Sequence, residues 1–258
     1  MNVLLIAVIL IFVIFLIIGF QRGLFKAIVG MTATILTLLI VFLFAPVVFQ
    51  YVTDMTDVDE RLEAIIYDRL KASIEDEVRQ KLLEVGDYST RDELRRAAQE
   101  ETERILESDP DRSTEMELIS VQNVPGFIKK RLLTDNNSDV YERLGVNNVY
   151  HYIARSVALS VVNLIVTLAF FVIVRLLFLI SALLLDKSLD KIPVLGGLNH
   201  LGGMLLGTVT ALIVIWMVMV VYSLIDVETY EIMIGQSVIL AKLDEFNLIA
   251  RLFYKMGI

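Results

Sequence analysis

Residues 3–20 read VLLIAVILIFVIFLIIGF and residues 27–49 read AIVGMTATILTLLIVFLFAPVVF. The first run is 18 residues without a charge; the second is 23, with Pro46 near its end. About 20 apolar residues in a helix cover the roughly 30 Å hydrocarbon core of a bilayer, so each run is long enough to cross one. Two further runs have the same character. Residues 156–174 hold 19 uncharged positions, followed by Arg175 and an apolar stretch from Leu176 to Leu185; residues 201–225 hold 25. The expected fold is an all-α integral membrane protein, with four transmembrane helices in two hairpins, a helical extramembrane insertion and an amphipathic C-terminal helix. Its expected divisions are 1–50, 51–152, 153–225 and 226–258.

The whole chain agrees with that reading. Of 258 residues, 56% are hydrophobic, and the mean hydropathy is +0.68. A soluble chain is about half apolar and has no such unbroken runs. The 31 acidic and 23 basic residues leave a net charge of −8. Nucleic acid is therefore not an expected partner, because phosphate binding needs a basic face. There is no cysteine, which removes disulfides, thiolate metal sites and cysteine nucleophiles. Only His151 and His200 are present, so most metal-site and catalytic-triad arrangements are not expected, nor is a cofactor. The first run differs from a signal peptide, since Met1-Asn2 offers no basic n-region and Gly19-Phe20-Gln21-Arg22-Gly23 follows; it reads as a retained span.

Between the second and third runs, residues 50–152 carry 24 acidic and 14 basic side chains, a net of −10. Leu62, Ile66, Leu70, Ile74, Val78 and Leu82 recur every four residues, which predicts a helix. Gly86-Asp87 punctuates the chain. Thr90 with Glu93 then forms a capping-box pattern that opens a second, very polar helix through Leu106. Asp109-Pro110-Asp111 breaks that helix, an amphipathic piece follows Pro125, and Asp135-Asn136-Asn137-Ser138 reads as a turn. Mixed charges on helical faces make a solvated surface; the sharper alternative, a coiled-coil arm, lacks a strict heptad. After residue 225, Leu240, Leu243, Phe246, Ile249, Ala250 and Phe253 predict one amphipathic helix at the interface or packed on the insertion.

Short basic loops stay cytoplasmic, whereas long segments translocate largely regardless of charge. Arg22 and Lys26 lie in one short loop, Lys187 and Lys191 in the other. Both termini and the acidic insertion are then expected outside, with Arg155 the exception on that side.

Arg175 is the one charge that interrupts a span. It either snorkels at the cytoplasmic boundary, with Leu176 to Leu185 lying along the membrane or extending the helix, or faces the bundle as a functional residue. Ser156, Ser160, Asn163 and Thr167 share one helical face, read as a packing face and alternatively as a solute path. Gly19 and Gly23, and Gly203 and Gly207, form two GxxxG patterns, with Gly196, Gly197 and Gly202 close before the second. Small residues at this spacing let helix backbones approach; the alternative is a discontinuous, ligand-binding helix. His151 and His200 read as capping or interface residues. Gly196-Gly197-Leu198 lacks the ending of a phosphate loop.

The segment Gly19-Phe20-Gln21-Arg22-Gly23-Leu24-Phe25 and the segment Ile192-Pro193-Val194-Leu195-Gly196-Gly197-Leu198-Asn199-His200-Leu201-Gly202-Gly203, leading to Gly207, resemble the colicin V production protein (CvpA) family. The resemblance covers residues 1–50 and 150–240 and takes the form with a long insertion between hairpins. It implies a multi-pass protein of the bacterial cytoplasmic membrane linked to toxin production, with no catalytic residue to carry over. Some related membrane domains anchor a serine protease, but Gly-x-Ser-x-Gly is absent here. The expected function is a non-enzymatic membrane accessory or scaffold protein. Its partners would be the lipid bilayer, a membrane or envelope protein and, as an open alternative, further copies of itself. The competing reading is a small-solute transporter or channel subunit.

Overall fold

The computed structural model describes the chain apart from residues 1, 86–87, 89, 109, 190–195 and 256–258, and gives backbone alone at 182–189, 196 and 255. Among the described residues the structure is helical, with no strand. The helices are α1 (Val3–Met55), α2 (Val58–Val85), α3 (Arg91–Glu107), α4 (Arg112–Ser120), α5 (Gly126–Asp135), α6 (Ser138–Leu144), α7 (Val149–Leu189), α8 (Gly196–Ile225), α9 (Val227–Gly235), α10 (Val238–Glu245) and α11 (Leu248–Lys255). They fall into two compact units: residues 1–52 with 163–257, and residues 53–162.

Three helices of the described chain, α1, α7 and α8, are long and apolar enough to cross a membrane. A straight helix of 53 residues would be about 80 Å long at 1.5 Å per residue, far more than a bilayer needs. The helix α1 is not straight. Gly23 stands at φ 72° and ψ 172°, outside helical space, and divides α1 into a first leg (residues 3–22) and a second leg (residues 24–55). Only glycine takes that φ without strain. Leu4 and Val8 of the first leg pack with Ala211, Ile215 and Met219 of α8. Val41 and Phe42 of the second leg line a groove with Met217. Positions 4–8 and 41–42 thus lie at one level of α8, so the chain reverses at Gly23, and Thr167, Leu168 and Phe171 of α7 line the same groove. Pro46 leaves the second leg unbroken. Large apolar side chains on the outside, such as Leu10, Leu43 and Leu205, form the surface that lipid covers.

Expected as one amphipathic helix, the C-terminal tail is three short ones, and it packs on α8 within its own unit. The cause lies in two side chains that restart the helix. Ser237 accepts from the Leu240 N–H at the start of α10, and Asn247 accepts from the Ala250 N–H at the start of α11. Trp216 Nε1 of α8 donates to the Leu243 carbonyl at 3.0 Å, and Asn247 Nδ2 donates to the Trp216 carbonyl at 3.3 Å. Leu240 and Tyr230 are buried in the same cluster as Ile215 and Met219. Tyr230 donates to Asp244 Oδ1 at 2.5 Å. Burial and that neighbouring carboxylate raise the phenol well above its ordinary pKa.

In the second unit, α2 packs along α3, whose buried residues Ala98, Thr102 and Leu106 fall every fourth position. Thr90 accepts from the Glu93 N–H, as the capping-box pattern predicts. The segment from 109 to 111 does more than break the chain, because Asp111 caps α4 by accepting from the Thr114 N–H. Likewise Asn137, read as part of a turn, caps α6. The core of this unit forms around the start of α7, where Val149, Tyr150, Tyr152, Ile153, Ala154, Val157 and Ala158 are all buried. Tyr152 donates to the Leu132 carbonyl at 2.9 Å, and Asn148 caps α7 by accepting from the Tyr150 and His151 N–H groups. Exposed i,i+4 pairs such as Lys81–Glu77 and Arg104–Glu100 decorate the outer faces, where solvent screens them and they contribute little.

Candidate functional site

The reversal at Gly23 creates a problem that the rest of the first unit solves. Where a helix breaks, the first N–H groups of the new leg and the last carbonyls of the old one lose their partners. Asn199, buried on the first turn of α8, accepts from the Leu24 N–H at 2.8 Å. The next residue, His200, meets the Phe20 carbonyl at 2.7 Å through Nδ1. A carbonyl only accepts, so Nδ1 carries the proton there. The ring of Phe20 lies beside the His200 ring, with centroids 5.1 Å apart. Two consecutive side chains of α8 therefore clamp both ends of the break. His200 is a capping residue, as the sequence reading has it, and Asn199 is its companion.

Below the clamp the glycines meet backbone to backbone. A Cβ on Gly203 would fall on the Gly19 carbonyl and stand 2.7 Å from the Gly23 Cα. On Gly19 it would fall on the Gly203 carbonyl, and on Gly207 it would fall on the Phe15 carbonyl. A Cβ on Gly202 would lie 3.1 Å from the Leu24 Cβ. At Gly23 it would run into the Asn199 amide. Gly19, Gly203 and Gly207 thus lie on one seam between the first leg and α8, with Gly23 at its end, and Gly202 meets Leu24 at the start of the second leg. Gly197 borders open space, and Gly196 opens α8. The segment 192–195 lies outside the described residues, as does Lys191 of the second basic loop.

The polar face of α7 divides between the two units. Thr167 donates to Asn163 Oδ1 at 3.3 Å, and both side chains are buried in the first unit. Ser160 turns back on its own helix and donates to the Ser156 carbonyl at 2.7 Å; both serines belong to the second unit. Arg175 is half-buried, and α7 continues past it, so Leu176 to Leu185 extend the helix. Among the described residues, no group of three or more His, Asp or Glu side chains is placed to hold a metal ion.

In the second unit, Arg155 reaches Asp59 and Glu63, both at 3.0 Å from Nη1. Asp59 is buried and lies near the start of α2, 96 positions before its partner in sequence. No local spacing signals this trio.

Asn199→Ala should destabilise the first unit by about 1 kcal/mol, the usual cost of a lost N-cap acceptor. Asn199→Asp keeps an acceptor at the same place and should retain most of that stability. Thermal unfolding in detergent reads the difference, and equal melting of all three proteins would mean that the Leu24 cap is not a stabilising contact.

Comparison with known proteins gives one match. Residues 142–247 match the family described as Colicin V production protein. The match spans the end of α6, all of α7, α8 and α9, and all of α10, so that region is similar to this family of membrane proteins. No curated protein and no solved structure matches the chain.

Proposed function

We propose that this CvpA-type membrane protein is a non-enzymatic accessory protein of the bacterial cytoplasmic membrane, acting in the production or export of a colicin V-type toxin. The glycine seam supports this reading most directly. Backbone contact between Gly19, Gly203 and Gly207, with both ends of the Gly23 break clamped by Asn199 and His200, builds a closed support. In this reading the four apolar runs cross the bilayer in two hairpins, and the basic loop at Arg22 and Lys26 is cytoplasmic. The acidic helical region of residues 53–152 then stands outside and meets an envelope or export partner. Arg155, the one cation against that orientation, is neutralised by Asp59 and Glu63.

The test has two arms. Photo-crosslinking residues placed at exposed positions of α3 and α4 in living cells should give a discrete adduct. The purified full chain, reconstituted into vesicles, should leave them tight to a broad solute panel. Uptake of a solute that Asn163→Leu abolishes would replace the accessory reading with the transport one.

A further inference from the structure

Arg22 and Arg175 both belong to the first unit, one on the first leg of α1 and the other on α7. Arg22 is exposed at the end of its leg, one residue before the reversal at Gly23. Arg175 is half-buried, and it is the one charge of α7 between Asn163 and Leu185. The two guanidinium groups stand close enough for their positive charges to oppose each other. Among the described residues, neither has a carboxylate partner or a side-chain hydrogen bond. Two uncommitted cations therefore meet beside the point where the chain turns back.

Such a pair is unfavourable alone and becomes favourable when one anion sits between the two charges. Each guanidinium presents a planar fork of N–H donors, which matches the oxygens of a phosphate. The surface around Arg175 narrows the source of that phosphate. Ile173, Leu176, Leu177 and Ile180, its neighbours on α7, are exposed apolar side chains. A soluble ion would have to leave water to reach a charge framed by apolar surface. A phospholipid carries its phosphate there on the acyl chains that cover such a surface.

We propose that Arg22 and Arg175 together bind the phosphate of an anionic bilayer phospholipid, whose acyl chains lie along the exposed apolar side of α7. This goes beyond the accessory role and does not depend on it. Phosphatidylcholine has the same phosphate but brings a third cation to the pair, so the site prefers phosphatidylglycerol. Short-chain forms of the two lipids, each titrated onto the purified full chain in a neutral detergent and followed by native mass spectrometry, test it. Phosphatidylglycerol should bind about tenfold more tightly, the worth of one charge-assisted hydrogen bond. Arg22→Gln and Arg175→Gln should each abolish that preference. Neither should lower the melting temperature in lipid-free detergent, because each removes a repulsion and breaks no bond. Lys81→Gln, which takes a cation from the second unit, should leave the preference intact. Equal affinity of the two lipids for the parent chain, or a preference that survives either arginine substitution, overturns the proposal. A melting temperature that falls in both arginine variants also overturns it, since the two cations would then serve the fold. So does inorganic phosphate that displaces phosphatidylglycerol at equal concentration, which would assign the pair to a soluble anion.

Discussion

Gly203→Leu should cost at least about 3 kcal/mol and should lower the yield of folded protein, since overpacking a close contact costs 1–3 kcal/mol even where side chains can adjust. Here they cannot, because the atoms in the way are the Gly19 carbonyl and the Gly23 backbone. Lipid replaces apolar contacts on a helix surface but does not restore a backbone contact pushed apart. The same substitution also separates Asn199 and His200 from the break that they clamp, three or four residues away. Leu205→Ala is the matched control. Leu205 is 67% exposed, and its truncation should change stability by less than about 0.5 kcal/mol. Size-exclusion profiles and melting curves in one detergent check the pair. If Gly203→Leu inserts and melts like the parent chain, the seam does not hold the two helices together.

Arg155→Ala should be the most damaging change in the second unit, costing about 3 kcal/mol. Removing one partner of a buried ion pair leaves an uncompensated charge, a loss of 3–5 kcal/mol when the pair is fully buried. Asp59 retains 6% of its side-chain exposure, but Glu63 and Arg155 retain 24% and 23%, which puts the expectation at the lower end. The double variant Arg155→Ala with Asp59→Asn removes the buried charge as well and should recover part of the loss. Chemical unfolding followed by circular dichroism measures both. Equal stability of the single and double variants would show that the cost of Arg155→Ala comes from lost packing alone.

The apolar runs were legible because lipid imposes one requirement, length without charge, that a sequence displays openly. The Thr90–Glu93 cap was legible because its residues are three apart. The helices α4 and α6 escaped notice for a specific reason. Asp111 and Asn137 stand in Asp-Pro-Asp and Asp-Asn-Asn-Ser stretches that signal a break or a turn, whereas each accepts a backbone N–H and begins a helix. The apolar spacing of the tail does not show its breaks, because the caps at Ser237 and Asn247 lie between the apolar positions. At the Gly23 site the glycines announced close packing, but their mutual pairing and the Asn199 cap connect residues 175 or more positions apart. The partners of Arg155, Glu63 and Asp59, lie 92 and 96 positions before it, and no periodicity points to them.

The most direct measurement uses the absence of cysteine from the chain. Single cysteines at Ser120, exposed at the end of α4, and at Gln21, exposed beside the Gly23 reversal, would each be the only thiol present. A membrane-impermeant maleimide is added to intact spheroplasts and then to lysed ones. If the bundle holds the acidic unit outside the cytoplasm, the cysteine at 120 is modified in intact spheroplasts and the cysteine at 21 only after lysis. The opposite pattern would place the acidic unit in the cytoplasm and contradict the envelope-facing role. Modification of both in intact cells would contradict the reversal of the chain across the membrane at Gly23.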